Sequence, residues 1–262
     1  MSTSTLRERR LFRDSGRALV IAMDHARAFN TVTDLKDANA IIETVIAAGA
    51  DAILAPMGTA SGCGDALGNG GLWLSVDAKA ETVGPAVESA LRLGADGIKC
   101  EVYPWCKPEN DFFRSRSGTE TLLGTSCLVA ECHKWGLPLM VESIPFGWPA
   151  ADKRTPELVA AAARVASETG ADYVKTFYTG DKESFATAVE NCNVPILILG
   201  GVKVDSDRDV LAMVRDAMDS GAVGITMGRN IWGHENVAGM TAALAAIVHD
   251  DASVDDAHKL IK

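Results

Sequence analysis

A single-domain α/β fold of the (β/α)8 TIM-barrel kind is what the sequence predicts, and three observations predict it. Short, β-rich apolar runs alternate with longer Ala-rich stretches along the whole chain, uninterrupted by a Pro/Ser linker or low-complexity block. That is the pattern of strand–helix units on a parallel sheet. Gly-Ala-Asp recurs at Gly49-Ala50-Asp51, Gly94-Ala95-Asp96 and Gly170-Ala171-Asp172, with Gly221-Ala222 as a relaxed fourth copy, each between a helical pattern and an apolar run. Glycine there supplies the left-handed residue that ends a helix. Finally, eight candidate strands in 262 residues match the dimensions of such a barrel.

The strands are expected at Ala18–Asp24, Ala52–Met57, Leu72–Val76, Gly97–Tyr103, Leu139–Ile144, Tyr173–Phe177, Pro195–Leu199 and Gly224–Met227. Their near-continuous hydrophobicity suits strands covered on both faces. Between them, apolar residues fall at helical spacing over Ala38–Ile46, Ala86–Leu93, Leu122–Trp135, Pro156–Glu168, Asp207–Met218 and Ala238–Val248. A doubly wound sheet is the alternative, but a phosphate-binding glycine fingerprint would then follow the first strand, where the chain reads Met23-Asp24-His25-Ala26-Arg27. The glycine-rich run Ser61–Gly71 has neither the GxGxxG spacing nor a Lys-Ser/Thr ending, and reads as a mobile loop over the barrel mouth. One domain is expected over residues 1–262, with 1–16 a capping segment and 250–262 a C-terminal tail.

Composition narrows the function classes. With 47% apolar and 23% charged residues the chain is globular rather than disordered. Lys and Arg total 25 against 35 Asp and Glu, a net charge of −10 that argues against nucleic acid as a partner. The longest apolar runs are far short of the roughly 18 residues that cross a bilayer, so no membrane association is expected. The basic N-terminus lacks the apolar core of a secretory signal and carries Glu8 and Asp14, which transit peptides avoid. Six cysteines without a CxxC pair argue against zinc and against a disulfide framework, and the expected location is cytoplasmic.

In a barrel of this kind the reacting groups sit at the C-terminal ends of the strands. Four charges interrupt apolar runs there: Asp24 closes the first, Lys99 lies in the fourth, Glu142 in the fifth and Lys175 in the sixth. Buried charges persist only when paired or used. A structural salt-bridge cluster, or side chains turned outward to the helices, is the bland account. A lysine desolvated in an apolar strand beside a second ammonium can be partly neutral at pH 7 and attack a carbonyl, and Lys175 with Lys99 offers that arrangement. Glu142, one strand from Lys175, is the best placed carboxylate for proton transfer. After the last two strands, Gly200-Gly201-Val202-Lys203 and Gly228-Arg229-Asn230 put unobstructed backbone N–H groups beside cations, the usual barrel phosphate site. Glycines that merely turn the chain are the alternative there.

Four segments carry a family resemblance: Ala22–Phe29 (AMDHARAF), Ala171–Asp181 (ADYVKTFYTGD), Pro195–Lys203 (PILILGGVK) and Gly221–Trp232 (GAVGITMGRNIW). With these the chain resembles the class I, Schiff-base aldolases of the DeoC/LacD superfamily. The resemblance implies a (β/α)8 barrel, no metal, no cofactor, and an imine-forming lysine that would be Lys175. Archaeal-type fructose-bisphosphate aldolases and their aminodideoxyheptulosonate-synthase relatives place a catalytic tyrosine on strand five in a Tyr-Pro-Arg-Gly context, where this chain has Ile144-Pro145-Phe146-Gly147. The set Asp24, Lys99, Glu142 and Lys175 is instead similar to the tagatose-bisphosphate and sulfofructose-phosphate aldolase branch, where a strand-five glutamate transfers the proton.

The resemblance therefore implies an aldehyde-lyase that cleaves or forms the C3–C4 bond of a phosphorylated ketose through an imine on Lys175. The products would be dihydroxyacetone phosphate and an aldehyde. Asp24 and Lys99 would orient the carbinolamine, Glu142 would move the proton, and Gly200, Gly201, Gly228 and Arg229 would hold the phosphate. His25 would contact substrate or serve structure. Metal-dependent cleavage needs a His-rich site, and the five histidines are dispersed. A transaldolase or thiolase-like transferase and a catalytically silent phosphosugar-binding barrel stay open. A homo-oligomer is expected from the resemblance. Lys107, Arg114 and Arg116 are candidates for a second anion or a solvated loop, and Trp73, Trp105, Trp148 and Trp232 for the pocket wall or the core.

Overall fold

Eight parallel strands close on themselves in chain order: β1 (Ala18–Ala22), β2 (Ala52–Pro56), β3 (Gly71–Ser75), β4 (Gly97–Val102), β5 (Leu139–Ser143), β6 (Tyr173–Phe177), β7 (Ile196–Leu199) and β8 (Gly224–Met227). β8 pairs back onto β1, with Ala18 opposite Gly224. The computed structural model describes residues 5–27, 33–107, 117–147, 150, 153–201, 203–204 and 206–262. The fold is the single-domain (β/α)8 barrel that the alternation of patterns predicts. Each strand lies within one or two residues of its expected place, and Asp24 stands just beyond the end of β1 rather than inside it.

Crossovers of α-helix cover the barrel: α2 (Ala38–Ala47), α5 (Val83–Arg92), α6 (Gly118–Trp135), α7 (Pro156–Thr169), α8 (Lys182–Glu190) and α9 (Asp207–Asp219), with α11 (Val237–Asp250) closing the ring after β8. Their starts are written in the sequence. Ser117 and Glu120 form a reciprocal capping box on α6, and Thr155 caps α7 ahead of Pro156. Helix α8 had no expectation attached to it; Asp181 caps it by accepting from Ser184 N at 2.8 Å. Residues 250–262 carry the short α12 (Val254–His258), whose Ala257 is buried.

The glycine-rich run Ser61–Gly71 is not a loop over the mouth. It is the β2-to-β3 crossover, built from two single-turn helices, α3 (Met57–Ala60) and α4 (Gly64–Leu67), and its last residue begins β3 at the opposite end of the barrel. Gly70 and Gly71 serve close approach there, since a Cβ on Gly71 would overlap the Arg10 carbonyl and one on Gly70 the Ile46 side chain.

The Gly-Ala-Asp repeat has a structural meaning. In all four copies the glycine has positive φ and the following alanine N–H bonds back to a carbonyl five residues upstream, closing the helix. In the three full copies the aspartate then accepts the backbone N–H of a residue on the preceding strand: Asp51 from Leu19 (2.7 Å), Asp96 from Leu72 (3.1 Å) and Asp172 from Leu139 (2.8 Å).

Among the described residues the two larger apolar cores lie on either side of the strands. One lies between strands and helices and takes Leu19, Ile21, Cys100, Val141 and Val174. The other fills the lower barrel with Val20, Leu54, Trp73, Met140 and Leu197, and is stoppered by Leu11 and Phe12 beside α1 (Glu8–Leu11). Arg10 pairs with Asp96 at 2.5 Å and Arg13 with Asp51 at 2.7 Å, so the N-terminal segment is pinned to the aspartates of the repeat.

Candidate active site

Strand alternation sends Cys100, Val141 and Val174 outward into the helix-facing core, so their neighbours Lys99, Glu101, Glu142 and Lys175 point into the barrel. Register then fixes their heights: Glu101 is the partner of Glu142, and Glu142 the partner of Lys175. A layer of two carboxylates and one ammonium thus crosses three adjacent strands, directly above the apolar plug. The outward orientation that the sequence left open does not occur.

Lys99, only 1% exposed, reaches up between these groups. Its Nζ donates to Glu101 Oε1 at 2.7 Å and to Asp24 Oδ2 at 3.1 Å, and stands 2.5 Å from Glu142 Oε2. Three carboxylates thus surround one ammonium, two of them hydrogen-bonded to it. Lys175 Nζ lies 3.0 Å from the same Glu142 Oε2. Ser75 donates to Asp24 at 2.7 Å, and the Tyr103 hydroxyl donates to Glu101 Oε2.

The electrostatics follow from this packing. Burial opposes the charge on Lys99, but Asp24, Glu101 and Glu142 outweigh it and hold the ammonium well above its ordinary range. Burial likewise opposes ionisation of Asp24, yet Lys99 and Lys175 keep its carboxyl far below the usual carboxylate range. His25 goes the other way: burial, only partly offset by Asp24, pushes its imidazole down to about 4, so it is neutral at pH 7. The sequence set Lys99 beside Lys175 with Asp24 and Glu142 as the balancing acids; the structure adds Glu101 as a third.

A cavity opens at the C-terminal ends of the strands, lined by Asp24, His25, Glu101, Glu142 and Lys175 on one side and by Gly200, Gly201, Gly228 and Arg229 on the other. Lys99 lies beneath it. Arg229 donates to the Gly201 carbonyl, and Asn230 ties the two glycine segments by donating to the Gly200 carbonyl at 3.0 Å and accepting from Val204 N at 2.9 Å. Gly228 can be nothing larger, since a Cβ would overlap the Ala22 carbonyl and the His25 ring. Trp232 backs this wall, donating to the Ala22 carbonyl at 2.8 Å and meeting His25 edge-on. Lys203 turns away and donates to the Gly233 carbonyl at 2.5 Å.

Not every candidate reaches the site. Trp73 is fully buried in the lower barrel against Tyr173. Trp105 is 42% exposed and packs on Phe146, both with positive φ at the ends of β4 and β5. Arg114, Arg116 and Trp148 lie outside the described residues, and Lys107 is exposed. Among the described residues, no group of three or more His, Cys, Asp or Glu is arranged to hold a metal ion, and no helix is long and apolar enough to cross a membrane.

Glu101 and Tyr103 join the site although neither is a lone charge within an apolar run. The signal was available: Lys99, Glu101 and Tyr103 alternate with Cys100 and Val102, a period of two that places all three on one face.

A parallel barrel with a buried lysine pair and carboxylates at its mouth defines the class of barrel aldolases that work through lysine. The match to a family model is in line with this: residues 18–234 fit the DeoC/LacD family aldolases, and the chain belongs to that family. It is similar to a 2-amino-3,7-dideoxy-D-threo-hept-6-ulosonate synthase of Halobacterium salinarum, 34% identical over 92% of this chain and 90% of that protein. It is also similar to the fructose-bisphosphate aldolase class 1 of Thermoproteus tenax, 32% identical over 95% and 96%. Among solved structures, an archaeal fructose 1,6-bisphosphate aldolase superposes with a TM-score of 0.79 at 29% identity, covering 93% of this chain and 98% of the other. Another such aldolase, captured with its catalytic lysine covalently bound to the carbinolamine intermediate, gives 0.78 at 29% identity over 92% and 98%.

Proposed function

We propose that this chain is a metal-independent aldehyde-lyase that cleaves or forms the C3–C4 bond of a phosphorylated ketose through an imine on Lys175, giving dihydroxyacetone phosphate and an aldehyde. The observation that carries the reading is the unequal setting of the two lysines. Lys99 Nζ lies within 3.1 Å of three carboxylates and hydrogen-bonds two of them, whereas Lys175 has one carboxylate neighbour and borders the cavity. An ammonium so fully engaged has no free lone pair, so Lys175 is the nucleophile.

The reaction begins with transfer of a Lys175 proton to Glu142, across the 3.0 Å that separates them. The amine attacks the C2 carbonyl; the C–N bond forms, the carbonyl electron pair moves to oxygen, and a proton passes from the nitrogen to that oxygen to give the carbinolamine hydroxyl. Asp24 and Lys99 orient that hydroxyl, which takes up the proton held by Glu142 and leaves as water, giving an iminium and an ionised Glu142. Glu142 then takes the proton of the C4 hydroxyl, the C3–C4 electron pair moves into the iminium, and the aldehyde departs. Glu142 returns that proton to the enamine at C3, and hydrolysis of the imine releases dihydroxyacetone phosphate and restores Lys175. Gly200, Gly201, Gly228 and Arg229 hold the phosphate, and this remote binding positions the reacting carbon. Neutral His25 lies between the phosphate wall and Asp24 and can donate a hydrogen bond to substrate.

Metal independence rests on the carboxylates being committed to Lys99. The strand-five glutamate supports the tagatose-bisphosphate type of proton transfer rather than one through a strand-five tyrosine. The partner is a small phosphorylated sugar, and the chain is expected to act in the cytoplasm as a homo-oligomer. The test is turnover of candidate ketose phosphates by wild type and Lys175→Met after exhaustive EDTA treatment: the wild type stays active and the variant falls to background. An EDTA-sensitive wild type contradicts the reading.

A further inference from the structure

We propose that Glu101 is a positioning residue of this site: a second carboxylate, set opposite Glu142, that keeps Lys99 charged and in place while Glu142 takes up and gives back a proton. The inference rests on the reading of Lys175 as nucleophile and Glu142 as the group that moves the proton.

Glu101 and Glu142 are register partners on adjacent strands, and like charges directly opposed are destabilising on their own. Lys99 resolves the conflict from two residues below Glu101 on the same strand, 2.7 Å from Glu101 Oε1 and 2.5 Å from Glu142 Oε2. The other oxygen of Glu101 accepts the hydroxyl of Tyr103, itself 2% exposed and packed against Cys106 and Ile144. A continuous line of polar contacts therefore runs Tyr103, Glu101, Lys99, Glu142, Lys175.

This line matters when Glu142 changes charge. Each time Glu142 is protonated, Lys99 loses one of its three anions; Asp24 and Glu101 remain, and the ammonium keeps its charge and its place. In the other direction, Lys99 divides its attraction among three acids and does not bear on Glu142 alone. Without Glu101, Lys99 would hold Glu142 more firmly as an anion and weaken it as a base. The other charged or titratable groups around the pair are Asp24 and His25 after β1, Lys175 on β6 and Arg229 after β8.

The experiment compares wild type, Glu101→Gln and Tyr103→Phe by two readouts. The first is ligand-free: the carboxyl 13C titration of Glu142 in glutamate-labelled protein. The second uses dihydroxyacetone phosphate, scoring the borohydride-trapped adduct on Lys175 by mass spectrometry and the exchange of the hydroxymethyl proton into D2O by NMR. Glu101→Gln is expected to keep the adduct, to slow exchange per adduct by about tenfold or more, and to move the Glu142 midpoint down by about one pH unit. Tyr103→Phe, which leaves the carboxylate but frees it, shifts both in the same direction by less. A Glu142 midpoint and an exchange rate unchanged in Glu101→Gln overturn the proposal. If Glu101→Gln does not fold, Tyr103→Phe decides by the same measures. If the wild type forms no adduct, the functional reading fails, and the Glu142 midpoint alone decides the role of Glu101.

Discussion

Lys99 and Lys175 meet at one atom, Glu142 Oε2, at 2.5 and 3.0 Å. Both lysines bear on one carboxylate oxygen, so a change in the charge of Glu142 is felt by both. The environments of the two are otherwise opposite. Lys99 is buried under the cavity among three acids, and Lys175 stands at the cavity's edge.

That difference separates the two lysines by stability as well as by chemistry. Lys99→Met leaves Asp24, Glu101 and Glu142 facing one another with one cation in place of two, a break of a buried ion cluster that costs about 3–5 kcal/mol. Lys175→Met leaves Lys99 to neutralise Glu142, and is expected to change stability by less than about 1 kcal/mol while abolishing turnover. Urea unfolding of the two variants beside the wild type measures the contrast.

The half-buried imidazole of His25 sets a pH dependence of folding. Its value falls from 6.5 to about 4 in the folded protein, so the unfolded chain binds the proton first as the solution is acidified. Stability associated with His25 is therefore complete above 6.5 and is lost as pH falls from 6.5 towards 4. Between pH 7 and pH 5 the wild type is expected to lose about 2 kcal/mol more than His25→Gln, read from urea midpoints at the two pH values.

Asp51 tests the structural meaning of the repeat. It accepts Leu19 N–H, pairs with Arg13 and lies 2.9 Å from His249, all at the end of the barrel away from the cavity. Asp51→Ala orphans a strand N–H and a cation together, and should cost about 3 kcal/mol. KM and kcat of the folded fraction should stay at wild-type values.

The glycine wall should answer to size. In Gly228→Ala the added methyl runs into the Ala22 carbonyl and the His25 ring, so either the β8 segment or the imidazole must move. Arg229→Gln removes the cation without adding bulk. Both are expected to raise KM for a phosphorylated substrate by tenfold or more, on the order of 1–2 kcal/mol of lost binding. Steady-state kinetics with phosphorylated and dephosphorylated forms of one substrate distinguish this from a general loss of activity.

Much of this architecture is legible in the sequence because a parallel barrel buries its strands on both faces. Runs such as Leu139–Val141 and Ile196–Leu199 stay apolar throughout, and a charge inside such a run stands out. Asp24, Lys99, Glu142 and Lys175 are visible for that reason, and the structure brings them within contact of one another. Glu101 and Tyr103 are less visible because they follow Lys99 at the polar end of the strand, where a polar residue is ordinary; only their alternation marks them. The helix at Lys182–Glu190 is short, with Phe185 and Ala188 its only fully buried residues, too little for an apolar stripe. The run Ser61–Gly71 misleads for a different reason. Glycines that permit close approach at Gly70 and Gly71 look the same in sequence as glycines that permit motion.

The central claim, that Lys175 attacks and Lys99 does not, is tested most directly by borohydride reduction in the presence of dihydroxyacetone phosphate, followed by digestion and mass spectrometry. The account predicts a single modified peptide carrying the adduct on Lys175, with Lys99 unmodified. An adduct on Lys99 would contradict it.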